Sequence, residues 1–358
     1  MTFDEARALF PVLERLAYLN AGTFGPLAGP TADVVAAQLR HDLEHGRSGK
    51  PYVEDMQAAR LALRGALAGL LGTSAEHVAL TSSTTDGCNI VLLGLGLRPE
   101  DEIVTTDAEH FGLAGPVFAS GATVRVARVQ DLGPEELLEA IVAEVTPRTR
   151  LLAVSHVLWT NGVVLDVHAL KERTGLPVLV DGAQSAGAIP VEVGELDYYT
   201  VSGQKWLCGP DSTGALYVAD AESLRVARPS YFAQESFEPG GRFVPRAGAQ
   251  RFDPGWTSVA SLKGLATAVA LAPDWRFERI AEIAARCRDV LAERVDVVTP
   301  PGQAGLVTFQ PAGDAEETAA RLLEQGIVVR NLPRTPWVRA SCGWWTNEDD
   351  VERLARAL

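Results

Sequence analysis

Short runs rich in β-branched and aromatic residues alternate along the chain with longer stretches of helical period. HVALTSS, DEIVTTD, TVRVARV, TRLLAVSHV, LPVLVDGA, LDYYTVSG and GALYVAD read as strands, and PEELLEAIVAEV and DVHALKERTG between them as helices. That alternation predicts an α/β fold with a mostly parallel sheet. Several of these strands end in polar residues: Thr81-Ser82-Ser83, Thr105-Thr106-Asp107, Ser155-His156, Asp181 and Ser202-Gly203. Ligands of open α/β sheets collect at the carboxyl ends of the strands, so these clusters are expected to face one pocket.

Beyond about residue 256 the character changes. SLKGLATAVALA and DWRFERIAEIAARCRDVLAERV have helical period, GLVTFQPA, GIVVRNLP and WVRASCGWW read as short strands, and NEDDVERLARAL as a closing amphipathic helix. The pattern predicts a large α/β domain over 21–260, a smaller α+β domain over 261–358, and an N-terminal segment, 1–20, packed near that pocket. The stretch from Arg228 to Gly255, rich in Pro, Gly, Arg and aromatics, has no clear period and reads as an ordered functional loop.

A chain of 358 residues with 47% hydrophobic content can bury one large core or two unequal ones. Its net charge of −14 and pI near 4.9 argue against a nucleic-acid or anionic-membrane partner. Cys88, Cys208, Cys287 and Cys342 are widely spaced, which suggests neither a disulfide scaffold nor a zinc site, and no metal is expected. A soluble, unexported protein of the reducing cytosol is the expectation, since no apolar run is long enough to span a bilayer.

The stretch DGAQSAGAIPVEVGELDYYTVSGQKW places Asp181 at a strand end and Lys205 within Ser-Gly-Gln-Lys-Trp. A lone lysine in a loop is ordinarily a solvated charge. With an acid on the neighbouring strand, the pair suits an aldehyde cofactor: the lysine bonds its carbonyl carbon and Asp181 holds a ring nitrogen protonated, as pyridoxal 5'-phosphate (PLP) requires. Upstream, LTSSTTDGCNIVLLGL sets hydroxyls and Gly87 between a strand and a helix, where free N–H groups and the helix dipole favour a phosphate.

At these residues the chain resembles the class V aminotransferases of PLP fold type I, the group containing cysteine desulfurases, selenocysteine lyases and isopenicillin N epimerase-like enzymes. The resemblance runs nearly end to end, through YLNAGTFGPL, SSTTDGCN, TTDAEH, SHVLWTNG, VDGAQSAG, VSGQKW and VRASCGWWTNEDDVERL. It implies that Lys205 is the Schiff-base lysine, Asp181 the partner of the ring nitrogen and His110 the imidazole stacked on the ring. It implies further that Thr84, Thr85, Ser202 and Gln204 bind the phosphate, Gln184 lies near the ring oxygen, and Arg339 pairs with the substrate carboxylate. Ala21 and Gly22 are expected to let backbone approach the substrate closely. A homodimer with the active site at its interface is the family's arrangement.

The departures bear on the reaction. Trp159 stands where desulfurases carry an asparagine, with Asn161 a possible substitute. Trp256 replaces a phosphate-binding threonine donated across the dimer, leaving Thr257 or Ser258 for that place. Trp159, Trp256, Trp344 and Trp345 are candidates for an apolar substrate pocket, and Arg242 and Arg246 for recognising a second acidic group. Where desulfurases carry their nucleophilic cysteine this chain has NLPRTPW, without cysteine. The expectation is a PLP enzyme acting on the α-carbon of a small-molecule amino acid, with transamination as the family default. Epimerisation and C–S or C–Se β-elimination without an enzyme persulfide are the rivals, and a non-catalytic binding protein is the alternative from another class.

Overall fold

The computed structural model describes residues 1–358. Its strands are β1 (Ala17–Tyr18), β2 (Val78–Thr81), β3 (Glu102–Thr106), β4 (Thr123–Ala127), β5 (Thr149–Ser155), β6 (Val178–Asp181), β7 (Tyr198–Ser202) and β8 (Gly214–Val218), followed by β9 (Gln234–Phe237) and β10 (Phe243–Pro245). The last third adds β11 (Asp296–Val297), β12 (Leu306–Gln310), β13 (Ile327–Val328), β14 (Arg330–Asn331) and β15 (Val338–Ser341). The helices are α1 (Phe3–Ala8), α2 (Gly29–His45), α3 (Gly49–Leu70), α4 (Thr84–Leu95), α5 (Phe111–Ala119), α6 (Pro134–Ala143), α7 (Val167–Thr174), α8 (Val259–Leu271), α9 (Arg276–Ala292), α10 (Ala315–Glu324) and α11 (Glu348–Ala357).

The seven strands read from the sequence form one sheet in the order β2-β8-β7-β6-β5-β3-β4, with only β8 antiparallel to its neighbours. Side chains alternate across it: Leu152, Val154, Val178, Val180 and Val201 enter one core, and Leu151, Ala153, Leu179 and Tyr198 the other. Helices cover both faces, which is why these strands read as almost continuous apolar runs.

A second, antiparallel sheet, β11-β12-β15-β14, packs on α9 and α11. On β15, Val338 and Ala340 enter this smaller core, so Arg339 and Ser341 point the other way, towards the large sheet. The N-terminal segment is bound to this unit, β1 pairing in parallel with β13 and Asn20 bridging Ser341. The expected boundary at 260/261 falls inside α8, whose Val259, Leu262 and Leu265 belong to the large core. We therefore propose that the smaller unit begins at α9. The aperiodic 228–255 stretch contains the β9–β10 hairpin.

Candidate active site

The carboxyl ends of β3, β5, β6 and β7 bring Glu109 and His110, Ser155, Asp181, and Ser202 to Lys205 towards one region. Asp181 closes β6, buried, opposite Ser155 of β5 and Thr200 of β7. One carboxyl oxygen accepts from Ala183 N at 2.9 Å. The turn behind it is braced by a buried chain in which Tyr199 Oη lies 2.9 Å from His156 Nδ1 and 2.6 Å from Ser185 Oγ. Burial lowers the His156 pKa to about 4, so its ring is neutral at pH 7.

Lys205 has no ion-pair partner. Burial lowers its pKa to about 8, with Arg339 adding to the effect and Asp181 opposing it. A lysine poised there loses its proton near neutral pH, as a nucleophile or base must. Capture of the aldehyde by the apo-protein is therefore expected to quicken about tenfold per pH unit below 8 and to level above it. Stopped-flow absorbance checks this; a flat profile from pH 6 to 9 would refute it.

His110 caps α5, its Nδ1 accepting from Gly112 N at 3.1 Å, which leaves the ring proton on Nε2. Burial, then the Lys205 charge, lower its pKa, so the imidazole is neutral at pH 7. The Trp159 ring meets it edge-on at 5.2 Å.

Arg339 is 2% exposed, yet no carboxylate touches it. Its Nη1 donates to Trp159 O at 2.7 Å, its Nη2 makes a long 3.4 Å contact to Thr23 Oγ1, and its Nε has no partner. Burial, together with Arg330 directly across the β14–β15 ladder, lowers its pKa to about 9, so it stays charged at pH 7. A Cβ on Gly22 would lie 2.8 Å from Arg339 Nη2, 2.9 Å from Gln184 Oε1 and 2.9 Å from Ser341 Oγ, so a larger residue there would have to displace these side-chain ends. Ala21 beside it is fully buried.

The α4 N-terminus is capped by Ser83, which accepts from Asp86 N. The Thr84 and Thr85 N–H groups have no protein acceptor and are available to an anion. These free donors, an unpaired amine and a strand-end carboxylate fit the phosphate, aldehyde and ring nitrogen of PLP. Ser202 Oγ donates to Gln204 Oε1 at 2.8 Å, leaving the Gln204 amide N–H₂ free.

The remaining candidate residues take several places in the fold. Gln184 ties loops together, its Nε2 donating to Gly22 O at 2.9 Å and its Oε1 accepting from Trp206 Nε1 at 3.0 Å, with one amide hydrogen left. Asn161 is buried and engaged by main chain, its Oδ1 accepting from Val163 N and its Nδ2 donating to Gln130 O, which counts against its standing in for the missing asparagine. Trp344 and Trp345 are buried and pack on Phe10, and Trp344 also lines an apolar cavity with Trp206, Leu207 and Cys208. Trp256 is exposed and stacks on Tyr231. Thr257 lines a separate cleft with Arg47, Tyr52 and Trp256, while Ser258 caps α8. Arg242 is exposed at the β9–β10 turn, and Arg246 lines a cavity beside Arg60, Arg64 and Asp253. Glu109, Thr23, Arg330 and the His156–Tyr199–Ser185 chain escaped the sequence reading; the acid directly before His110 was the one available signal.

The family description "Aminotransferase class-V" matches residues 35–354. The chain belongs to that family. Isopenicillin N epimerase of Amycolatopsis lactamdurans is 32% identical over 95% of this chain and 94% of its own length. A cysteine desulfurase of Salmonella typhimurium is 28% identical over 100% and 98%. Among solved structures, a C-DES variant with glycine covalently linked to its PLP cofactor superposes with a TM-score of 0.92, at 28% identity over 98% of both chains. The cystine C–S lyase C-DES with its product cysteine persulfide gives 0.91, at 28% over 97% and 98%. This class V member is accordingly a PLP-dependent enzyme with the fold type I architecture read from its sequence. No helix of this class V chain is long and apolar enough to cross a membrane.

Proposed function

We propose that the protein removes the α-hydrogen of a free amino acid and expels a β-sulfur substituent, as a C–S lyase that uses no enzyme thiol. The observation that carries the reading is Arg339, a buried guanidinium without a carboxylate, held in the same site as the unpaired Lys205 amine. A carboxylate brought by substrate satisfies it through parallel hydrogen bonds.

PLP, when bound, supplies an electron sink for the α-carbon while its ring nitrogen stays protonated. Asp181 would hold that proton, His110 would lie against the cofactor, and the free N–H groups of Thr84 and Thr85 would take the phosphate. Lys205 Nζ accepts the α-proton, and the Cβ–S electron pair departs with sulfur. With cystine and one water the products are pyruvate, ammonia and cysteine persulfide, the last being the product named for the C-DES lyase.

An enzyme-bound persulfide does not suit this chain. Cys88, Cys208, Cys287 and Cys342 are all buried, and burial raises the Cys88 and Cys208 thiols well above their ordinary range. Epimerisation is the second reading, favoured by the 32% identical epimerase. Transamination, the family default, is a third reading. Retention of the unpaired Lys205 and Arg339 in their cradle counts against a non-catalytic binding protein. A homodimer is part of the proposal, with Thr257 and the exposed Trp256–Tyr231 stack near the joint.

Incubating the PLP-loaded protein with L-cystine tests the reading. Stoichiometric pyruvate, ammonia and persulfide are expected. D-amino acid without pyruvate would replace it with epimerisation, and a one-turnover keto acid with no sulfur released would replace it with transamination.

A further inference from the structure

Glu109 is a carboxyl within this site for which the proposed chemistry has no use. Thr106 Oγ1 donates to its Oε1 at 2.7 Å and Ser155 N to the same oxygen at 3.2 Å, while Ser155 Oγ donates to Oε2. Thr106 ends β3 and Ser155 ends β5, and Ser155 lies in register with Asp181 of β6. The next residue after Glu109 is His110. One carboxyl thus binds together two strand ends, the neighbour of the Asp181 strand and the turn that presents the imidazole. No cation pairs with it. The titratable groups facing it are Asp181 and the Cys88 thiol of α4, which burial keeps protonated, with His110 following on the same turn.

We propose that Glu109 is a positioning residue, locking the turn that presents His110 and setting, through its own charge, how firmly Asp181 holds a proton on the cofactor's ring nitrogen. Two consequences follow from geometry and charge. Losing the carboxyl loosens the His110 turn, because Ser155 Oγ and Thr106 Oγ1 lose their common acceptor. Ionising it places a second negative charge near Asp181, which favours a proton between Asp181 and the ring.

Desolvation raises the pKa of the carboxyl to about 7 in spite of the three donors, which lower it. The folded-state value lies above the unfolded one of about 4.3. Its contribution to stability is therefore full below the unfolded value and lost as pH rises through about 7.

The inference rests on the assignment of Asp181 and His110 to the cofactor, and Glu109→Gln separates the two. In the apo-proteins, the melting temperature of the parent relative to Glu109→Gln is expected to fall by several degrees between pH 5 and 8. In the PLP-loaded proteins, the visible band of the parent is expected to shift with an inflection near pH 7 that the variant lacks, and the pH profile of kcat to lose the same limb. A melting difference that stays constant with pH, or an inflection preserved in the variant, overturns the proposal. Failure of the cofactor assignment shows itself separately, as no visible band in either protein. Should Glu109→Gln not fold, Ser155→Ala removes one of the donors that lower the Glu109 value, and the inflection must move to higher pH; a purely structural role would leave it in place.

Discussion

Lys205→Ala is expected to abolish the covalent link between protein and cofactor and to lower turnover by about 10⁴ or more, while the fold persists. In the proposed mechanism the lysine carries two duties, bonding the aldehyde and moving the α-proton, and general-base catalysis alone is worth roughly 10²–10⁴. Its removal costs little structurally, because Lys205 is an unpaired amine whose lowered pKa reports a desolvation cost rather than a stabilising contact. Borohydride reduction followed by mass spectrometry of the intact protein reads the link directly. The parent should gain the mass of the cofactor and the variant should not, with similar circular dichroism. Full turnover by Lys205→Ala would remove the lysine from the mechanism.

Arg339→Ala has the second largest expected effect, and it separates binding from stability. Truncating one member of a buried charge pair costs about 2–5 kcal/mol. For a substrate carboxylate that becomes a loss of roughly 30-fold to several-thousand-fold in affinity, seen chiefly in KM. In the apo-protein the guanidinium has no counter-charge and faces Arg330 across the ladder, so its removal relieves desolvation while leaving a cavity. The melting temperature should therefore change far less than KM. A KM unaltered for every amino acid tried would refute the carboxylate role.

The sheet was legible because both of its faces are covered. Apolar residues on both sides of β5, β6 and β7 leave near-continuous runs bounded by Ser155, Asp181 and Ser202, which mark the strands and the pocket together. The hairpin at 234–245 was not legible, since its residues are largely exposed and carry no alternation to a core. The helices 29–45 and 49–70 also went unread; the first opens on Gly29-Pro30 and mixes exposed Leu39 and Leu43 with buried Gln38, which blurs its apolar stripe.

Within the site, chemistry that lies on one strand or turn could be read, and pairings across the fold could not. Asp181 and Lys205 announce themselves by strand-end position and by the Ser-Gly-Gln-Lys context. The partner that orients Arg339 is a main-chain oxygen 180 positions away, at Trp159, which no local pattern records. Asn161 looked available because a side-chain amide in a turn can face a ligand; its main-chain partners are Val163 N and, 31 positions away, Gln130 O. Trp344 and Trp345 were ambiguous for a similar reason, since aromatic residues next to a functional strand serve core and pocket equally well, and only the fold places Phe10 against them.

The central claim is that Lys205 takes the α-hydrogen of an amino acid, whatever product follows. Its most direct measurement is proton NMR of L-cystine and a panel of L- and D-amino acids incubated with the PLP-loaded protein in D₂O. Enzyme-dependent loss of the Cα–H signal in at least one of them, absent with Lys205→Ala, is the predicted result. Intact Cα–H signals across the whole panel, with cofactor visibly bound, would contradict it.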